Sequence, residues 1–387
     1  MFNNFPHSLK IKTVFPFLFA VLLGIPSITS CDKKENNDKA GTGLLALALN
    51  NAGVYAAGFS TNSSGVMAAG YWKNGVWNEL TPLDATKHSA LNSIVVTQDT
   101  VYAGGYSRYG SDVWVSGYWK NGDWNWLMPL DTAHGSQVIT MVILNGDMYA
   151  GGESTNMFDI TNAGYWKNND WIGLPAIASN TNFSSVSAMV VSGDDVYAAG
   201  RSVYVTPPPP ALPAAYLGIP CIWKNGTLIT LPALKPTDAG EVRSLAISGK
   251  NIHACGMSTE AQWTPVYWLN GFVTALPVLD AALGGMALTI ALSGNDVYIG
   301  GKCNTAASSA LPGYWENGAW NPLPPLDATR ESRVLSIVVE GNTVYAGGYC
   351  ENSSGVKIAG YWINGTWTPL PSLDNNRNSQ VNSLVVK

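Results

Sequence analysis

The sequence predicts an all-β fold, a β-propeller of seven four-stranded blades with about 47 residues each. Two observations carry this prediction: a hexapeptide of the GYWKNG type recurs seven times, and a VYAGG-type segment precedes each copy. A segment that recurs at nearly constant spacing is a building element of a fold and not a catalytic motif. The VYAGG-type segments begin at residues 54, 101, 148, 196, 252, 297 and 344.

Four strand candidates follow one another in every repeat. Strand A is a β-branched apolar run such as VLSIVV at 334–339, and strand B is the VYAGG segment with the residues after it. Strand C is the AGYWK segment, and strand D is the WNELTPL segment. The A–B and C–D connections are short and contain Asn-Gly or Gly-Asp, which accept positive φ and favour tight hairpins. The Asn and Gly of GYWKNG are therefore predicted to turn strand C into strand D.

The aromatic residues indicate how the repeats pack. The Trp of GYWKNG is present in all seven copies, whereas a Trp after the turn is replaced by Leu228 and Val273 in two of them. A four-stranded unit is too small to bury both of its faces alone, so neighbouring units must stack. Gly-Gly in strand B permits close backbone approach, and the Trp rings fill the wider space farther from the axis.

Strand A occurs eight times, whereas the other three strands occur seven times. The terminal copies are LLALALN at 44–50 and VNSLVV at 381–386. Either the last strand completes the first blade or one terminal copy is surplus, and the sequence leaves both possibilities open. The fourth repeat is longer because a Pro-rich insertion, predicted as a loop, occupies residues 205–220.

The repeat also looks like a known family. Residues 101–130 combine an apolar residue and Gly-Gly with a later Tyr and a Trp followed by Leu and Pro. This pattern resembles the kelch repeat over roughly residues 44–387, and more closely the YWKNG-type repeats of bacterial envelope proteins. Kelch similarity implies a propeller of six or seven blades and fixes no function. The sequence departs from kelch in GYWKNG itself and in one Gly of the pair, which is Ala57, Ala199 or Cys255.

The N-terminus is similar to a bacterial lipoprotein signal peptide, assigned to residues 1–30. Lys10 and Lys12 precede a short apolar run at 13–25, and residues 28–31, ITSC, match the lipobox. The resemblance implies diacylation of Cys31, with palmitate among the acyl chains. An ordinary secretory signal with an incidental Cys is the alternative.

The charged stretch at 31–42 is expected to be a flexible tether, and residues 43–387 to form the propeller. The chain is then exported and attached to the bacterial cell envelope by its lipid anchor. The outer membrane is the expected location, and the sequence leaves open whether the propeller is exposed at the cell surface.

The composition excludes some partners and cofactors. A formal net charge of −5 and a pI near 5.4 argue against nucleic acid, which requires a basic face. The cysteines form no CxxC pair, so no metal site and no cofactor are expected. Cysteines at equivalent places of neighbouring blades lie too far apart for a disulfide, so free buried thiols are predicted. The equivalent pair is Cys303 and Cys350; free thiols are expected at Cys221 and Cys255 as well, although export to an oxidising compartment leaves disulfides open for all four.

Binding is expected on the face formed by the B–C loops and the D–A crossovers, because these connections are long and varied. A basic column stands three residues after a repeated Leu-Asp in the crossovers, with His88 and Arg333 close by, and we expect it to ring the axial mouth. It would hold an anionic or polyhydroxyl ligand, or else only pair with the adjacent aspartates. The column consists of Lys87, His134, Arg330 and Arg377.

Three tryptophans fall outside the repeat positions: Trp114, Trp126 and Trp263. Trp114 and Trp263 belong to predicted B–C loops, where exposed rings stack on sugars or anchor a protein partner. Packing at the rim of the disc is the alternative for both.

Catalytic motifs are missing from the sequence, which contains no GxSxG, HExxH or P-loop pattern. Whether the protein is an enzyme is left uncertain, and a non-catalytic binding or scaffolding module with a glycan or an envelope or extracellular protein as partner is preferred. A carbohydrate-active enzyme and a purely structural envelope protein are the alternatives. A singular pair of acids at the axial mouth would favour the enzyme, and an aromatic shelf without such a pair would favour binding.

Overall fold

The computed structural model describes residues 53–98, 100–178, 181–206, 215–259, 262–306 and 309–387. Within these ranges every regular element is a β-strand, which confirms the all-β prediction. A search of the same ranges finds no helix of the length and apolarity that crossing a membrane requires. The predicted signal peptide, the tether, Cys31, the apolar run at 44–50 and residues 207–214 of the Pro-rich insertion lie outside the described residues. Residues 205–206 and 215–220 of that insertion belong to strands, so its prediction as a loop was wrong there.

Four antiparallel strands make up each repeat, in the order A, B, C, D along the sheet. The A strands are β4 (Ser89–Thr97), β8 (Ser136–Leu144), β12 (Thr181–Ser192), β16 (Ala239–Ser248), β20 (Gly285–Ser293), β24 (Ser332–Glu340) and β28 (Ser379–Val386). The B strands are β1 (Val54–Thr61), β5 (Thr100–Tyr109), β9 (Asp147–Thr155), β13 (Asp195–Thr206), β17 (Asn251–Thr259), β21 (Asp296–Ala306) and β25 (Thr343–Glu351).

The outer strands are shorter. The C strands are β2 (Met67–Lys73), β6 (Val113–Lys120), β10 (Thr161–Lys167), β14 (Ala215–Lys224), β18 (Trp263–Leu269), β22 (Ser309–Glu316) and β26 (Lys357–Ile363). The D strands are β3 (Val76–Glu79), β7 (Asp123–Trp126), β11 (Asp170–Gly173), β15 (Thr227–Thr230), β19 (Phe272–Ala275), β23 (Ala319–Pro322) and β27 (Thr366–Pro369).

The strands group into six sheets, five of four strands and one of eight. The eight-stranded sheet contains two four-stranded repeats, β8–β11 and β12–β15, joined by one parallel pair between Thr161 and Phe183. We number the four-stranded units by their B strands, so that unit 1 contains β1 and unit 7 contains β25.

The C-terminal strand closes the molecule. Strand β28 pairs with β1 from Val54–Val386 to Ser60–Ser379, so the last strand of the chain completes unit 1. The A strands contact one another in succession, with β28 between β24 and β4, and thereby surround a central channel. Radially arranged antiparallel sheets around a channel are a β-propeller, as predicted. Of the two possibilities that the sequence left open, the C-terminal copy of strand A is the one that closes the ring.

The Trp of GYWKNG joins each unit to the one before it. Its side chain is buried in all seven copies, and its Nε1 donates a hydrogen bond of 2.7 to 2.9 Å to a backbone carbonyl of the preceding D–A crossover. Trp72 makes this bond to Pro371 and so links units 1 and 7. The seven residues are Trp72, Trp119, Trp166, Trp223, Trp268, Trp315 and Trp362.

The Asn of GYWKNG has two roles. Its φ lies between 45° and 54°, the left-handed conformation that a tight C–D turn requires and that Asn tolerates. Its Oδ1 also accepts a hydrogen bond of 2.8 to 3.0 Å from the backbone nitrogen of an early strand B residue, as Asn121 does from Val101. One side chain thus fixes both the turn and the neighbouring hairpin, which explains its presence in every repeat.

The second Trp explains the Gly that begins GYWKNG. A Cβ added to Gly360 would lie 2.4 Å from Cη2 of Trp367, whose ring centroid packs 4.4 Å from that of Trp362. Gly therefore stands wherever this second Trp stands. In unit 4 the pair is Cys221 with Leu228, and in unit 5 it is Val266 with Val273, so both members change together.

The four predicted buried thiols are confirmed as free and buried. Cys303 and Cys350 stand where other units have a Ser, such as Ser107, whose Oγ accepts a hydrogen bond from the backbone nitrogen of Leu83. Burial raises the pKa of both thiols to about 11, which leaves them protonated and unreactive at neutral pH.

His253 replaces the Tyr of strand B, and it gives the fold a pH dependence. Its Nδ1 lies 2.7 Å from the Tyr267 hydroxyl, and burial lowers its pKa below the ordinary value of 6.5. The unfolded chain therefore binds a proton near pH 6.5 that the native state resists, so this contribution to stability is present above pH 6.5 and is lost as the pH falls. We expect the urea midpoint of wild type to fall between pH 7.5 and pH 5 by more than that of His253→Tyr. Equal shifts in the two proteins would contradict this assignment.

Candidate functional site

The basic column of the crossovers does not lie where we expected it. The backbone nitrogen of each member donates to the carbonyl of the residue three before it, for example Arg377 to Asp374 at 3.1 Å. This tight turn directs the side chains of three members outward to the B–C loop of the next unit. In the part of the chain that the structure describes, none of the four column residues lines the cavity in the central channel.

Individual contacts show the same outward direction. Lys87 Nζ lies 3.9 Å from Asp112 Oδ1, and His134 Nε2 lies 3.4 Å from Asp159 Oδ1. Arg330 donates from Nη2 to the carbonyl of Ser353 at 2.8 Å. These partners belong to units 2, 3 and 7, so the column does not form one pocket. The expectation of a single basic ring at the axial mouth is therefore wrong.

His88, another predicted site residue, hydrogen-bonds to the backbone of a neighbouring unit. His88 accepts a hydrogen bond of 3.0 Å at Nδ1 from the backbone nitrogen of Met67, and Asn378 does the same for Lys357 at the equivalent place. His88 therefore has a structural role at the start of a C strand. Among the described residues, no group of three or more His, Cys, Asp or Glu side chains is arranged to hold a metal ion.

Arg333 belongs to a half-buried charge network. It donates from Nε to Oε1 of Glu331, which also lies 3.3 Å from Lys302 Nζ and accepts a bond of 3.1 Å from the Tyr349 hydroxyl. Burial alone would raise the pKa of Glu331, but Arg333 and Lys302 outweigh it and lower that pKa to about 2. With its Nε already bonded to Glu331, Arg333 serves the packing of units 6 and 7.

An aromatic cleft of about 320 Å³ opens beside the crossover from unit 2 to unit 3. Trp114, on β6, and His134, in the crossover, both line this cleft, and so does Trp126 at the end of β7. Trp126 is 49% exposed and Tyr109, at the end of β5, is 55% exposed. Two predicted site residues, Trp114 and His134, therefore line the same cleft as the exposed rings of Tyr109 and Trp126.

Trp114 is held rigidly in the cleft. Its ring stacks on Tyr106 with centroids 4.5 Å apart and planes 12° apart. The guanidinium of Arg108 lies 5.0 Å from the Trp114 ring and pairs with Asp112 at 2.6 Å. A fixed aromatic ring costs little conformational entropy when a ligand packs against it.

Trp263 lies elsewhere. It is the first residue of β18 and lines a groove of about 610 Å³ together with Phe183 and Arg201. The structure therefore does not bring Trp114 and Trp263 together in one cavity. Both residues belong to C strands, and their prediction as B–C loop residues was wrong.

A second cavity, of about 570 Å³, occupies the channel at the crossover ends of the A strands. Every A strand contains a β-bulge, and the extra residue of each bulge lines this cavity. A bulge re-aims one side chain out of the ladder, which is how a packed strand presents a residue to the channel. The seven residues are Asn92, Ile139, Ser187, Arg243, Leu288, Leu335 and Asn382.

Charged groups line only one side of this axial cavity. Arg201 Nη1 and Arg243 Nη2 lie 2.8 and 2.5 Å from the two oxygens of Glu241, whose side chain is 5% exposed. Gln137 Nε2 donates to Glu153 Oε1 at 2.8 Å in the same cavity. Leu288 and Leu335 lie in units 6 and 7, which carry no charged lining residue.

Sequence reasoning placed no ligand at these axial residues, although a signal was present. When the A strands are aligned on their β-branched runs, the second position varies between Asn, Ile, Ser, Arg and Leu while its neighbours stay apolar or small. Such variation inside a repeated strand indicates a side chain that does not pack between blades.

Comparisons with known proteins add only a general likeness. No protein-family model and no curated protein matches the chain. Among solved structures it is similar to a mutant of Aleuria aurantia lectin in complex with alpha-methyl-L-fucoside, with 10% identity, 73% of this chain and 95% of that chain covered, and a TM-score of 0.41. A second structure of that lectin, described as a six-bladed β-propeller, has 11% identity, the same coverage and a TM-score of 0.41.

A third similar structure is the β-propeller domain of the Trilobed protease from Pyrococcus furiosus, described as having an open velcro topology. It is 11% identical, covers 83% of this chain and 99% of that chain, and has a TM-score of 0.43. Identity this low transfers no ligand and no site residue to this chain.

Proposed function

We propose that this propeller is a non-catalytic glycan-binding module and that the aromatic cleft of unit 2 is its site. The observation that carries the proposal is the convergence of Tyr109, Trp114 and Trp126 on one cleft that also contains His134. Sugar rings present an apolar face that packs on aromatic rings and a hydroxyl edge that hydrogen-bonds to polar side chains. The cleft offers both kinds of surface side by side.

The position of Trp126 supports a ligand more than packing. In the other six units the equivalent residue is Glu, Gly, Thr, Ala or Pro, so the fold does not require a Trp there. Trp126 is 49% exposed, and removing its apolar ring surface from water is favourable. A bound sugar would cover it.

A glycan array tests the proposal with the soluble body, residues 40–387, as probe. We expect a defined set of glycans to bind wild type and to bind the double variant Tyr109→Ala and Trp126→Ala at least about tenfold more weakly, because two stacking surfaces are lost. Phe272→Ala is the matched control, since Phe272 is 80% exposed on the short-turn face away from the cleft. Equal binding by the double variant would contradict the assignment of the site.

A protein partner is the second candidate for the same region. Met128 precedes the cleft residue Pro129. Met157 and Phe158 precede Asp159, which contacts His134. The side chains of Met128, Met157 and Phe158 are 61%, 68% and 75% exposed, and exposed apolar side chains are typical of protein interfaces. An array on which wild type binds no glycan would favour this candidate. Loss of cross-linking to an envelope protein in Phe158→Asp would then be its test.

The enzyme alternative depends on carboxylates in the axial cavity, where Glu153 and Glu241 are both present. Both oxygens of Glu241 are already bonded to arginines, and Glu153 accepts a hydrogen bond from Gln137. A carboxylate fully engaged by guanidinium groups is poorly suited to donate a proton in glycoside hydrolysis. Binding is therefore the function that the geometry favours, and lack of hydrolysis of the glycans that bind is its expected companion result.

We further infer that the ring has seven blades of the kelch-like kind. Each four-stranded unit carries its own buried Trp with a hydrogen bond to the unit before it, and one parallel pair alone merges units 3 and 4 into a single sheet. A crystal structure of residues 43–387 tests the count. Only six four-stranded units around the axis would contradict it.

Export and lipid anchoring through Cys31 complete the proposal, supported by the signal-peptide pattern of residues 1–30. Cells fed an alkyne analogue of palmitate should label wild type and leave Cys31→Ser unlabelled. Protease treatment of intact cells then tests surface display, because a propeller that stays protected until lysis does not face outward.

A further inference from the structure

The axial cavity contains an ion cluster that the proposed cleft does not use. Glu241 is almost completely buried, and a buried carboxylate is stable only when it is paired. One guanidinium would balance its charge. Two are present, from Arg201 on β13 and Arg243 on β16, so this trio carries a local positive charge. Glu153, which is held by Gln137, balances the total charge of the cavity, so an anion would be held by the free donors of the two arginines.

Both guanidinium groups remain open to the cavity. The side chains of Arg201 and Arg243 are 37% and 43% exposed, and both line the cavity. A guanidinium carries five N–H donors in a planar fork, and the contact with Glu241 occupies only part of each fork. The remaining donors have the geometry that an incoming carboxylate accepts.

The repeat pattern indicates that these arginines are not needed for the fold. Arg243 occupies the bulge position, where the other six units have Asn, Ile, Ser or Leu. Arg201 follows the Gly of strand B, where the other units have Phe, Tyr, Glu, Met or Lys. Units 4 and 5 are neighbours, and each has an arginine lining the same cavity at a position where the other units have a different residue.

The uncharged residues that line the cavity indicate which other groups a ligand would have. Hydroxyl and amide side chains line much of the cavity, among them Thr140, Ser187, Thr289 and Asn382. Neutral hydrogen-bonding walls suit hydroxyl groups, and Glu153 adds an acceptor for them. A cavity of about 570 Å³ holds one small molecule.

We propose that the axial cavity binds a small hydroxylated carboxylate, a sugar acid, whose carboxylate is held by Arg243 and Arg201. This site is separate from the aromatic cleft and does not depend on it. Its ligand is selected by charge at one end and by hydroxyl groups along its length.

Isothermal titration of residues 40–387 with D-glucuronate, D-galacturonate and D-gluconate tests the proposal. D-glucose lacks the carboxylate, and acetate lacks the hydroxyl groups, so the two serve as controls of ligand chemistry. Arg243→Gln removes one donor fork and leaves Arg201 on Glu241. Arg377→Gln makes the same chemical change at an exposed arginine outside the cavity.

We expect at least one of the three sugar acids to bind wild type and Arg377→Gln alike, and to bind Arg243→Gln at least about tenfold more weakly. The double variant of the aromatic cleft should bind that acid as wild type does, which separates this proposal from the glycan site. The proposal is overturned if no sugar acid binds wild type at about 10 mM, if glucose or acetate binds equally well, or if Arg243→Gln retains full affinity.

Discussion

Removing residues 379–387 is expected to abolish cooperative folding of the propeller. The deletion takes away β28, which supplies the A strand of unit 1 and contacts the A strands on both sides of it. Val381 and Leu384 are buried in the core between units 1 and 7, and Asn382 donates from Nδ2 to the carbonyl of Leu91 in unit 2. Without them the ring is open and two blade faces are exposed to water.

The expected loss is comparable to the whole stability of an ordinary domain. Seven strand residues lose their pairing, and a buried cluster loses part of its core, which together amount to more than about 5 kcal/mol. Far-UV circular dichroism during thermal unfolding and limited proteolysis check the result. We expect no sharp transition and rapid cleavage.

A matched deletion separates closure from the mere loss of an apolar segment. Residues 44–50 have the same kind of apolar sequence, but both edges of β1 are already occupied, by β28 and β2. Their deletion should leave the unfolding transition unchanged. A C-terminal deletion that unfolds like wild type would refute the closure by β28.

Gly360 and Trp367 are expected to be strongly coupled. Gly360→Val alone should destabilise the protein by about 3 kcal/mol, because its Cβ meets the Trp367 ring and lies 2.6 Å from the carbonyl oxygen of Thr368 inside a packed core. Trp367→Val alone should cost a similar amount, about 3 kcal/mol, because it leaves a cavity. The double variant recreates the Val266 and Val273 pair of unit 5, and it should be more stable than the sum predicts by about 2 kcal/mol. The contact with Thr368 remains in the double variant, so the rescue is partial.

Urea unfolding of the four proteins measures this coupling as a double-mutant cycle. Gly348→Val provides the control, because its Cβ would lie 1.9 Å from the backbone carbonyl oxygen of Arg333, which Trp367→Val does not move. We expect no rescue of Gly348→Val by the Trp substitution. Strictly additive costs at Gly360 and Trp367 would show that the Gly is retained for another reason.

Much of this fold is readable from the sequence because it is repeated. Because the turn Asn occurs at the same place in seven repeats, the C–D hairpin could be predicted. The structure confirms the left-handed φ of this Asn. The second bond of that Asn, to strand B, could not be predicted, because it depends on the register of two hairpins. The choice between the two terminal A strands also could not be made, since both have the same pattern.

The candidate sites were only partly predictable, for a related reason. Trp114 and His134 were predicted as binding residues, and the structure brings them into one cleft with Tyr109. The direction of the crossover side chains was predicted wrongly, because the tight turn at Asp84 and its equivalents points them outward, a feature that spacing does not reveal. Arg243 reaches the channel through a bulge, and its only mark in the sequence is the variable second position of the aligned A strands, which does not by itself show where the side chain points.

The central claim is that glycan binding takes place at the aromatic cleft, and a single titration series tests it most directly. The best glycan from the array is titrated by calorimetry into wild type, into the Tyr109→Ala and Trp126→Ala double variant, and into Arg243→Gln. We predict one site per chain, lost in the cleft variant and unchanged in Arg243→Gln. Full affinity in a folded cleft variant would contradict the account.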